Sequence, residues 1–321
     1  MAAVTDAPPF ERLAVIGVGL IGGSAARAAR EFGLAKRIAV YDASPAAQTR
    51  LKALGFADEV ADSAAAAVRG ADAVIVAVPP GACGPVAKEI APALQPGAII
   101  SDVSSVKAAV IAAMGRELPD GIHFVPAHPV AGTEESGPDA GFATLFAGRW
   151  CILTPPPGTD PDAILRMAAF WRGTGSNVEI MTPEHHDLVL AITSHVPHLI
   201  AYNIVGTAAD LEQVTQSEVI KFSAGGFRDF TRIAASDPTM WRDVFLLNRD
   251  AVLEMLGRFV EDLTALQRSI RWGDGDALFQ LFTRTRAIRR GIIAEGQDAP
   301  GVDFGRPHRA PEPPAKDTAA E

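Results

Sequence analysis

One histidine combines a fixed position with room for a ligand. His128 stands between a strand-like segment and Pro129, and small residues follow it. An imidazole has an ordinary pKa of about 6.5, so it can take the proton that leaves when a hydroxyl-bearing carbon gives up hydride. Such a base must be held in one tautomer, and Ser105 is the candidate partner. The alternative is a histidine with a purely structural role at a strand end.

Two further histidines share one face of a predicted helix. His195 and His198 are three residues apart, with Ser194 beside them, and side chains at this spacing project from the same side. Pro197 lacks a backbone N–H and predicts a kink. The spacing would allow zinc, but no cysteine or acid completes a ligand set, so no metal is predicted. The preferred interpretation is a pair of polar rings that line a substrate cleft.

Three arginines lie close together in an otherwise acidic protein. Arg228, Arg232 and Arg242 alternate with aspartates. Salt bridges at a helix corner would explain Arg228 and Arg242, whereas a guanidinium facing the cleft would bind a substrate carboxylate. His185 and His186 begin the helix that carries the histidine pair. No comparable pattern surrounds them, so both are expected to be solvated.

A glycine-rich turn of the pattern GxGxxG follows the first strand-like segment and opens a helix. Gly17 permits the tight turn, Gly19 lets backbone approach a pyrophosphate, and Gly22 lets helix and strand pack closely. Asp42 lies 20 residues after Gly22, the separation typical of the acid that binds the ribose. Its carboxylate would repel a 2′-phosphate, so the pattern predicts NAD rather than NADP. The alternative is a surface acid beside a structural turn.

The elements that position these residues are short β-branched runs alternating with alanine-rich helical stretches. Strands are predicted at 12–16, 37–41, 73–78, 98–103, 122–126, 149–154 and 177–180. This alternation indicates a doubly wound α/β fold of the Rossmann type with a mainly parallel sheet. Ligands bind at the carboxyl ends of such strands. The predicted cofactor-binding residues are therefore Gly17, Gly19, Leu20, Ile21, Gly22, Asp42, Val78, Pro79, Asp102 and Ser104.

The strand pattern stops after Met181, and the chain from 182 to 293 is predicted to form an all-helical domain. Apolar residues at 252, 256, 259, 263, 266 and 270 follow a seven-residue repeat. Such a seam packs either inside the chain or against a second subunit. The Rossmann domain is predicted at 12–181, with a flexible segment at 1–11 and a disordered tail at 294–321.

Composition excludes several classes of partner. Lys and Arg number 29 against 38 Asp and Glu, a net charge of −9, which gives no electrostatic reason to bind nucleic acid or anionic lipid. The two cysteines are too few for a disulfide framework and fit a reducing compartment. The longest uncharged stretch, 73–87, is interrupted by proline and glycine. A cytoplasmic protein that binds neither nucleic acid nor membrane is predicted.

Taken in order, these segments resemble the prephenate dehydrogenases and their relatives, the arogenate and cyclohexadienyl dehydrogenases. The resemblance covers roughly 12–293. It is carried by 17–22 with Asp42, 102–107, 127–137, 194–198 and 225–241. It implies a Rossmann domain followed by a helical dimerisation domain in which two subunits intertwine. The chain is accordingly expected to be a homodimer, with the heptad helix between subunits.

The resemblance also implies an activity and a set of site residues. The activity is NAD-dependent oxidative decarboxylation of prephenate or arogenate to 4-hydroxyphenylpyruvate or tyrosine and CO2. His128 is then the catalytic base and Ser105 its partner. The implied substrate-binding residues are Glu134, Ser194, His195, His198, Arg232 and Trp241. Two alternatives are a hydroxyacid or imine dehydrogenase of similar architecture and a non-catalytic NAD-sensing module.

Overall fold

The computed structural model describes residues 8–133, 135–215 and 224–292. The chain forms two compact units, Met1–Gly257 and Arg258–Glu321. The predicted tail at 294–321 lies outside the described residues, as does most of the predicted flexible segment at 1–11. The first strand begins at Phe10, which is 1% exposed. It therefore starts two residues before the predicted strand.

The larger unit is built on a six-stranded parallel sheet. Its strands are β1 (Phe10–Ile16), β2 (Ala35–Tyr41), β3 (Glu59–Val60), β4 (Ala73–Val76), β5 (Ile99–Asp102) and β6 (His123–Phe124). The order across the sheet is β3-β2-β1-β4-β5-β6, and all neighbours are parallel. The predicted doubly wound Rossmann-type sheet is confirmed. Within this sheet, β3, which contains only two residues, is the strand that the sequence pattern does not predict.

Helices cover both faces of this sheet. They are α1 (Leu20–Glu31), α2 (Pro45–Leu54), α3 (Ala64–Val68), α4 (Cys83–Ile90) and α5 (Ala108–Gly115). Successive β1 side chains point to opposite faces, so Leu13 and Val15 enter one core while Ala14 and Ile16 enter the other. Burial on both faces explains why the strands are continuously apolar rather than alternating.

A second, three-stranded sheet contains β7 (Ala127–Pro129), β8 (Trp150–Leu153) and β9 (Asn177–Ile180), with α6 (Pro161–Gly173) before β9. β7 pairs with β8 antiparallel, and β8 pairs with β9 parallel. The last two predicted strands therefore do not extend the main sheet. Hydrophobic periodicity shows which segments are strands but carries no information about their direction or their partner. His128 lies within β7, opposite Ile152, rather than after a strand end.

Helices and helical turns make up most of the described remainder of the larger unit. They are α7 (Pro183–Leu190), a π-helical turn (Ala191–His195), α8 (Val196–Thr215), α9 (Gly225–Thr231), a 3₁₀ turn (Arg232–Ala235), α10 (Pro238–Leu247) and the start of α11 (Arg249–Trp272). The π turn lies immediately before Pro197, where the sequence predicts a kink. The stretch Pro183–Leu211 is long and apolar enough to cross a membrane by length and composition, with 28% of its most apolar window buried. Interior helices of other proteins meet the same test.

The predicted boundary between 181 and 182 does not coincide with the division between the two units. Helices from the second part of the chain form hydrogen bonds with loops of the first part. On α7, Asp187 accepts a hydrogen bond from the Lys107 amide at 2.8 Å. On α10, Asp243 accepts one from the Gly81 amide at 3.2 Å. These contacts join the sheet and the first helices of the second part into one unit.

The smaller unit, as far as it is described, contains the end of α11 and the following helix, α12 (Gly275–Ile292). Taken by itself it leaves large apolar side chains in solvent, with Ile270 67% and Phe282 57% exposed. The two helices form a groove of about 490 Å³ lined by Val260, Leu263, Thr264, Leu266, Gln267, Ile270 and Phe282. The predicted heptad thus ends in an apolar face that this unit does not cover.

Candidate active site

The glycine turn between β1 and α1 forms a backbone cradle. Gly17 has a φ of +86°, and a Cβ there would collide with the Ala77 carbonyl. A Cβ on Gly22 would collide with the Gly17 carbonyl, whereas a Cβ on Gly19 would meet nothing within 4 Å. The turn is therefore closed toward the sheet and open at Gly19, where a diphosphate can approach the amides at the start of α1. The backbone therefore has no room for a side chain at Gly17 or Gly22, and the role of Gly19 in admitting a pyrophosphate stays a prediction.

Asp42 lies at the end of β2 and is held by the glycine turn. Its carboxylate accepts hydrogen bonds from the Val18 and Ser44 amides, both at 2.9 Å. An ionised carboxylate has about four acceptor positions, so two remain for ribose hydroxyls. The adjoining cavity has a volume of about 730 Å³. The predicted cofactor-binding residues that line it are Gly17, Gly19, Asp42, Val78 and Pro79. Leu20, Ile21 and Gly22 form the first turn of α1 beside it.

Asp102 and Ser104 do not line this cavity, and Asp102 has a different role from the predicted one. Asp102 and Lys107 are fully buried and form an ion pair at 2.6 Å. Asp102 also accepts from the Ser104 amide at 2.9 Å, and the Ser104 hydroxyl faces the Cys83 thiol. The Lys107 ammonium donates in addition to the Ala127 carbonyl. This ion pair ties the loop after β5 to the residue that precedes His128.

His128 is a buried residue whose partner differs from the predicted one. Its Nδ1 atom lies 2.8 Å from Nε2 of His186, and Nδ1 of His186 lies 2.8 Å from Oδ1 of Asp187. Ser105 therefore does not orient this nitrogen. His186 is fully buried rather than solvated, whereas its neighbour His185 is exposed as predicted. Because Nδ1 of His128 is engaged, Nε2 is the nitrogen that can meet a substrate.

Burial and hydrogen bonding determine the charge state of this row of side chains. Burial lowers the pKa of His128 well below its ordinary value, and the nearby His186 and Lys107 lower it further. Burial also lowers the pKa of His186, although Asp187 opposes the shift. For Asp187, burial disfavours the charge, but hydrogen bonds from His186 and the Lys107 and Ala108 amides outweigh it and lower the pKa. Both imidazoles are therefore neutral at neutral pH, and Asp187 is ionised.

His195 is a buried ring whose two nitrogens have different surroundings. The Asn248 side-chain amide donates to the Asp187 carbonyl at 2.8 Å and lies 3.1 Å from Nδ1 of His195. Burial lowers the pKa of His195 to about 4, so the ring is neutral. Since Nδ1 accepts, Nε2 carries the hydrogen. This N–H faces the Ser105 backbone. Among the described residues, neither it nor the buried indole N–H of Trp241 has a partner in hydrogen-bonding geometry.

His198, Ser194 and Trp241 lie together next to His195, and their substrate-binding roles stay predictions. The rings of His198 and Trp241 stack at a centroid distance of 3.7 Å. His198 donates from Nδ1 to the Ser194 carbonyl at 2.8 Å. Arg232 is half-buried in the 3₁₀ turn, and its charge contributes to the lowered pKa of His198, of which burial is the main cause. The predicted substrate-binding arginine therefore lies beside the predicted histidine pair.

The other two arginines form the predicted salt bridges. Arg228 pairs with Asp229 at 3.5 Å, and Arg242 pairs with Asp243 at 2.7 Å. Glu134, the predicted acidic residue of the site, lies outside the described residues.

Four residues of the cluster are absent from the sequence-based prediction: Lys107, His186, Asp187 and Asn248. Each contacts residues far away in the chain, with 58 positions between His128 and His186 and 61 between Asp187 and Asn248. His186 and Asp187 lie in the first turns of a helix capped by Thr182, and the sequence pattern around them carries no signal of these long-range partners.

The fold and the site define a class. A glycine turn with an acid on the second strand of a parallel sheet, and a neutral buried imidazole in the same compact unit, are features of nicotinamide-dependent dehydrogenases with a helical second part. Two family models match the chain: "Prephenate dehydrogenase, nucleotide-binding domain" over residues 25–180 and "Prephenate dehydrogenase, dimerization domain" over residues 182–284. The chain belongs to the prephenate dehydrogenase family.

Individual relatives agree with this assignment. A cyclohexadienyl dehydrogenase of Zymomonas mobilis is 44% identical over 280 residues, 87% of this chain and 95% of the relative. A prephenate dehydrogenase of Bacillus subtilis is 34% identical over 88% of this chain and 76% of its own length. The crystal structure of prephenate dehydrogenase from Aquifex aeolicus with hydroxyphenyl propionate and NAD+ superposes with a TM-score of 0.82. It shows 32% identity over 91% of this chain and all of the relative.

The predicted cofactor is confirmed as NAD by the nucleotide-binding family match and the NAD+-bound relative. NAD fits three features of this site: the cradle at Gly17, the open approach at Gly19 and the spare acceptor positions of Asp42. Among the described residues, no group of three or more His, Cys, Asp or Glu side chains is placed to hold a metal ion.

Proposed function

We propose that this chain catalyses the NAD-dependent oxidative decarboxylation of prephenate, arogenate or both in tyrosine biosynthesis. One observation carries the proposal. Nε2 of His128 is the ring nitrogen that His186 does not engage, while two buried N–H groups, from His195 and Trp241, have no partner in hydrogen-bonding geometry among the described residues. A buried donor without a partner costs about 1–3 kcal/mol, so the cluster is arranged for a ligand that supplies both a hydroxyl and anionic oxygens. The cyclohexadienyl substrates carry a C4 hydroxyl and a C1 carboxylate.

The proposed chemistry places His128 at the C4 hydroxyl. Its Nε2 atom accepts the hydroxyl proton while C4 loses hydride, for which bound NAD is the acceptor. The C4 ketone that develops is conjugated through the ring to the carbon bearing the carboxylate. It therefore withdraws the electron pair that remains when CO2 leaves. Aromatisation of the ring drives this step, and a general base contributes about 10²–10⁴-fold to the rate.

Positioning is the second contribution of the protein. Arg232 lies beside His198, where its guanidinium can bind a carboxylate through two parallel hydrogen bonds. The N–H groups of His195 and Trp241 bind further substrate oxygens, and Glu134 and Ser194 complete the proposed substrate site. Ser105, whose backbone faces His195, lies in the same site. Holding the hydroxyl carbon against the cofactor in this way can supply roughly 7–11 kcal/mol of the barrier reduction.

The proposed assembly is a homodimer formed through the helical domain at 182–293. The matching family model is described as a dimerization domain. In the larger unit, Val252 at the start of the heptad is buried, whereas Leu263 and Ile270 in the smaller unit, taken by itself, are 51% and 67% exposed. Apolar surface of this extent is typical of a subunit interface. We also propose that residues 12–181 form the Rossmann domain and that the protein is cytoplasmic.

Steady-state kinetics with prephenate and arogenate, each with NAD and NADP, test the function. CO2 release and reduced cofactor should appear in equal amounts with at least one substrate. His128→Asn should lower kcat by at least about 10²-fold with little change in the KM for NAD. His185→Asn, on the exposed position of the same helix as His186, is the matched control and should behave as wild type. Turnover of neither substrate, or near-normal turnover by His128→Asn, would contradict the proposal.

A further inference from the structure

We infer that Asp187, acting through His186, holds His128 in the one tautomer that can act as a base. The inference rests on the proposed function for the role of His128 as the base. The hydrogen-bond pattern itself does not depend on the identity of the substrate. His186 and Asp187 are positioning residues, since neither faces the reacting atoms.

The pattern begins at the carboxylate. Asp187 accepts hydrogen bonds from the Lys107 amide at 2.8 Å and the Ala108 amide at 2.9 Å, at the start of α5. Both of its oxygens are thereby oriented, and the helix N-terminus favours the negative charge. An ionised carboxylate only accepts hydrogen bonds. The Nδ1 atom of His186, 2.8 Å away, therefore carries a hydrogen and donates it.

The tautomer of His186 then determines that of His128. A neutral imidazole has one N–H and one lone pair. Because the hydrogen of His186 is on Nδ1, its Nε2 atom is an acceptor. Nδ1 of His128 lies 2.8 Å from that acceptor and must be the donor. The hydrogen of His128 is therefore on Nδ1, and Nε2 has the free lone pair that proton abstraction requires.

The hydrogen-bonded row of His128, His186 and Asp187 also stabilises the imidazolium that forms when His128 takes the proton. When the hydroxyl O–H bond breaks, the proton forms a new bond to Nε2 of His128, and the ring becomes an imidazolium. Its Nδ1–H bond to His186 then becomes charge-assisted, which strengthens it. The ionised Asp187 stabilises that positive charge electrostatically, while its hydrogen bond to Nδ1 of His186 keeps His186 oriented as the acceptor. No proton leaves the row during the step, so the balance requires only the hydride acceptor named above.

The opposite arrangement of His195 makes the inference specific. There Nδ1 faces the Asn248 amide at 3.1 Å and accepts, so the hydrogen is on Nε2. His128 and His195 thus present a lone pair and an N–H to the site, respectively. An accidental packing of imidazoles gives no reason for opposite tautomers, whereas a site that must both remove a proton and bind an anionic oxygen requires them.

Nitrogen-15 NMR of protein labelled at histidine tests the tautomers directly and without substrate. At about pH 8 the spectrum should show Nδ1–H for His128 and His186 and Nε2–H for His195. Assignment uses single variants among the seven histidines. Observation of Nε2–H on His128 in the wild-type protein would overturn the inference. This readout remains valid if neither cyclohexadienyl compound is a substrate, so failure of the proposed function is distinguishable from failure of the inference.

Kinetics of two His186 variants supply the second test. His186→Leu removes the acceptor and should lower kcat about 10- to 100-fold, the loss typical of a hydrogen bond to a charged group. The KM for NAD should change little, whereas the melting temperature should fall in both His186 variants, because His186 is fully buried and hydrogen-bonded on both ring nitrogens. The positioning role is therefore measured by kcat in folded protein. His186→Gln retains an amide oxygen that can accept from His128 and should recover part of the loss. His185→Leu is the matched control. A His186→Leu enzyme with wild-type kcat, or equal losses in the Leu and Gln variants, would refute the positioning role.

Discussion

Replacement of Lys107 by methionine should be among the most destabilising single changes in the chain. Lys107→Met retains most of the side-chain volume but removes the charge. Lys107 and Asp102 are both 0% exposed, and their ion pair is 2.6 Å long. Among the described residues, Oδ1 of Asp102 already has no hydrogen-bond partner. The variant would therefore leave a buried carboxylate whose remaining hydrogen bond is the one from the Ser104 amide.

The magnitude follows from these contacts. Removal of one member of a buried ion pair costs about 3–5 kcal/mol, because the other charge is left uncompensated. The lost hydrogen bond from Lys107 to the Ala127 carbonyl adds about 1 kcal/mol. The double variant Lys107→Met with Asp102→Asn removes both charges. It should recover most of the loss, since a neutral pair of similar volume is often close to neutral in stability.

Urea denaturation followed by tryptophan fluorescence measures these effects, at one fixed protein concentration because association contributes to stability. The matched control is Lys88→Met, on the exposed side of α4, which should change the free energy of unfolding by less than about 0.5 kcal/mol. The reasoning is refuted if Lys107→Met costs less than about 1 kcal/mol. It is equally refuted if the double variant is as unstable as the single one.

Four further changes have defined outcomes. Gly17→Ala should abolish NAD binding in a calorimetric titration, because its Cβ would collide with a backbone carbonyl and its φ is +86°. Asp42→Asn should raise the KM for NAD about tenfold or more, and it should reduce the ratio of kcat/KM for NAD to kcat/KM for NADP. An unchanged ratio in steady-state kinetics would exclude a contact between Asp42 and the ribose hydroxyls. Arg232→Ala should mainly raise the substrate KM, and an unchanged KM would place the carboxylate elsewhere. Burial lowers the pKa of His195 from 6.5 to about 4, so its contribution to stability is complete above pH 6.5 and is lost as the pH falls toward 4. The loss amounts to about 3 kcal/mol, and urea unfolding of His195→Gln should show a correspondingly weaker acid dependence.

The cofactor site could be predicted from the sequence because its parts act locally. Gly17, Gly19 and Gly22 shape one turn, and the carboxylate of Asp42 contacts the amide of Val18 in that same turn. Because this motif spans only about 25 residues, the spacing of its residues along the chain was sufficient to predict how they lie in space. The same holds for the parallel sheet, whose apolar runs reflect burial on both faces.

The partner of the proposed base could not be predicted in this way. Ser105 and His186 are both polar residues next to predicted elements, and only the packing of α7 against the loop after β5 distinguishes them. Asp102 illustrates the same difficulty. An acid at a strand end has the same sequence pattern whether it faces a ligand or a buried ammonium group five residues further on. Long-range pairing of polar groups leaves no periodic signal.

The π-helical turn at Ala191–His195 makes the length of this helix as important as its composition. Such a turn contains one more residue than an α-helical turn, so it offsets the side chains on either side by about 100°. Asp187 precedes the offset and His198 follows it. Deletion of a single residue within the turn, for example Thr193, would restore a regular helix while rotating the stacked ring of His198 away from Trp241. A variant lacking that residue should keep its helix content yet lose its substrate site, even though every side chain named above is still present.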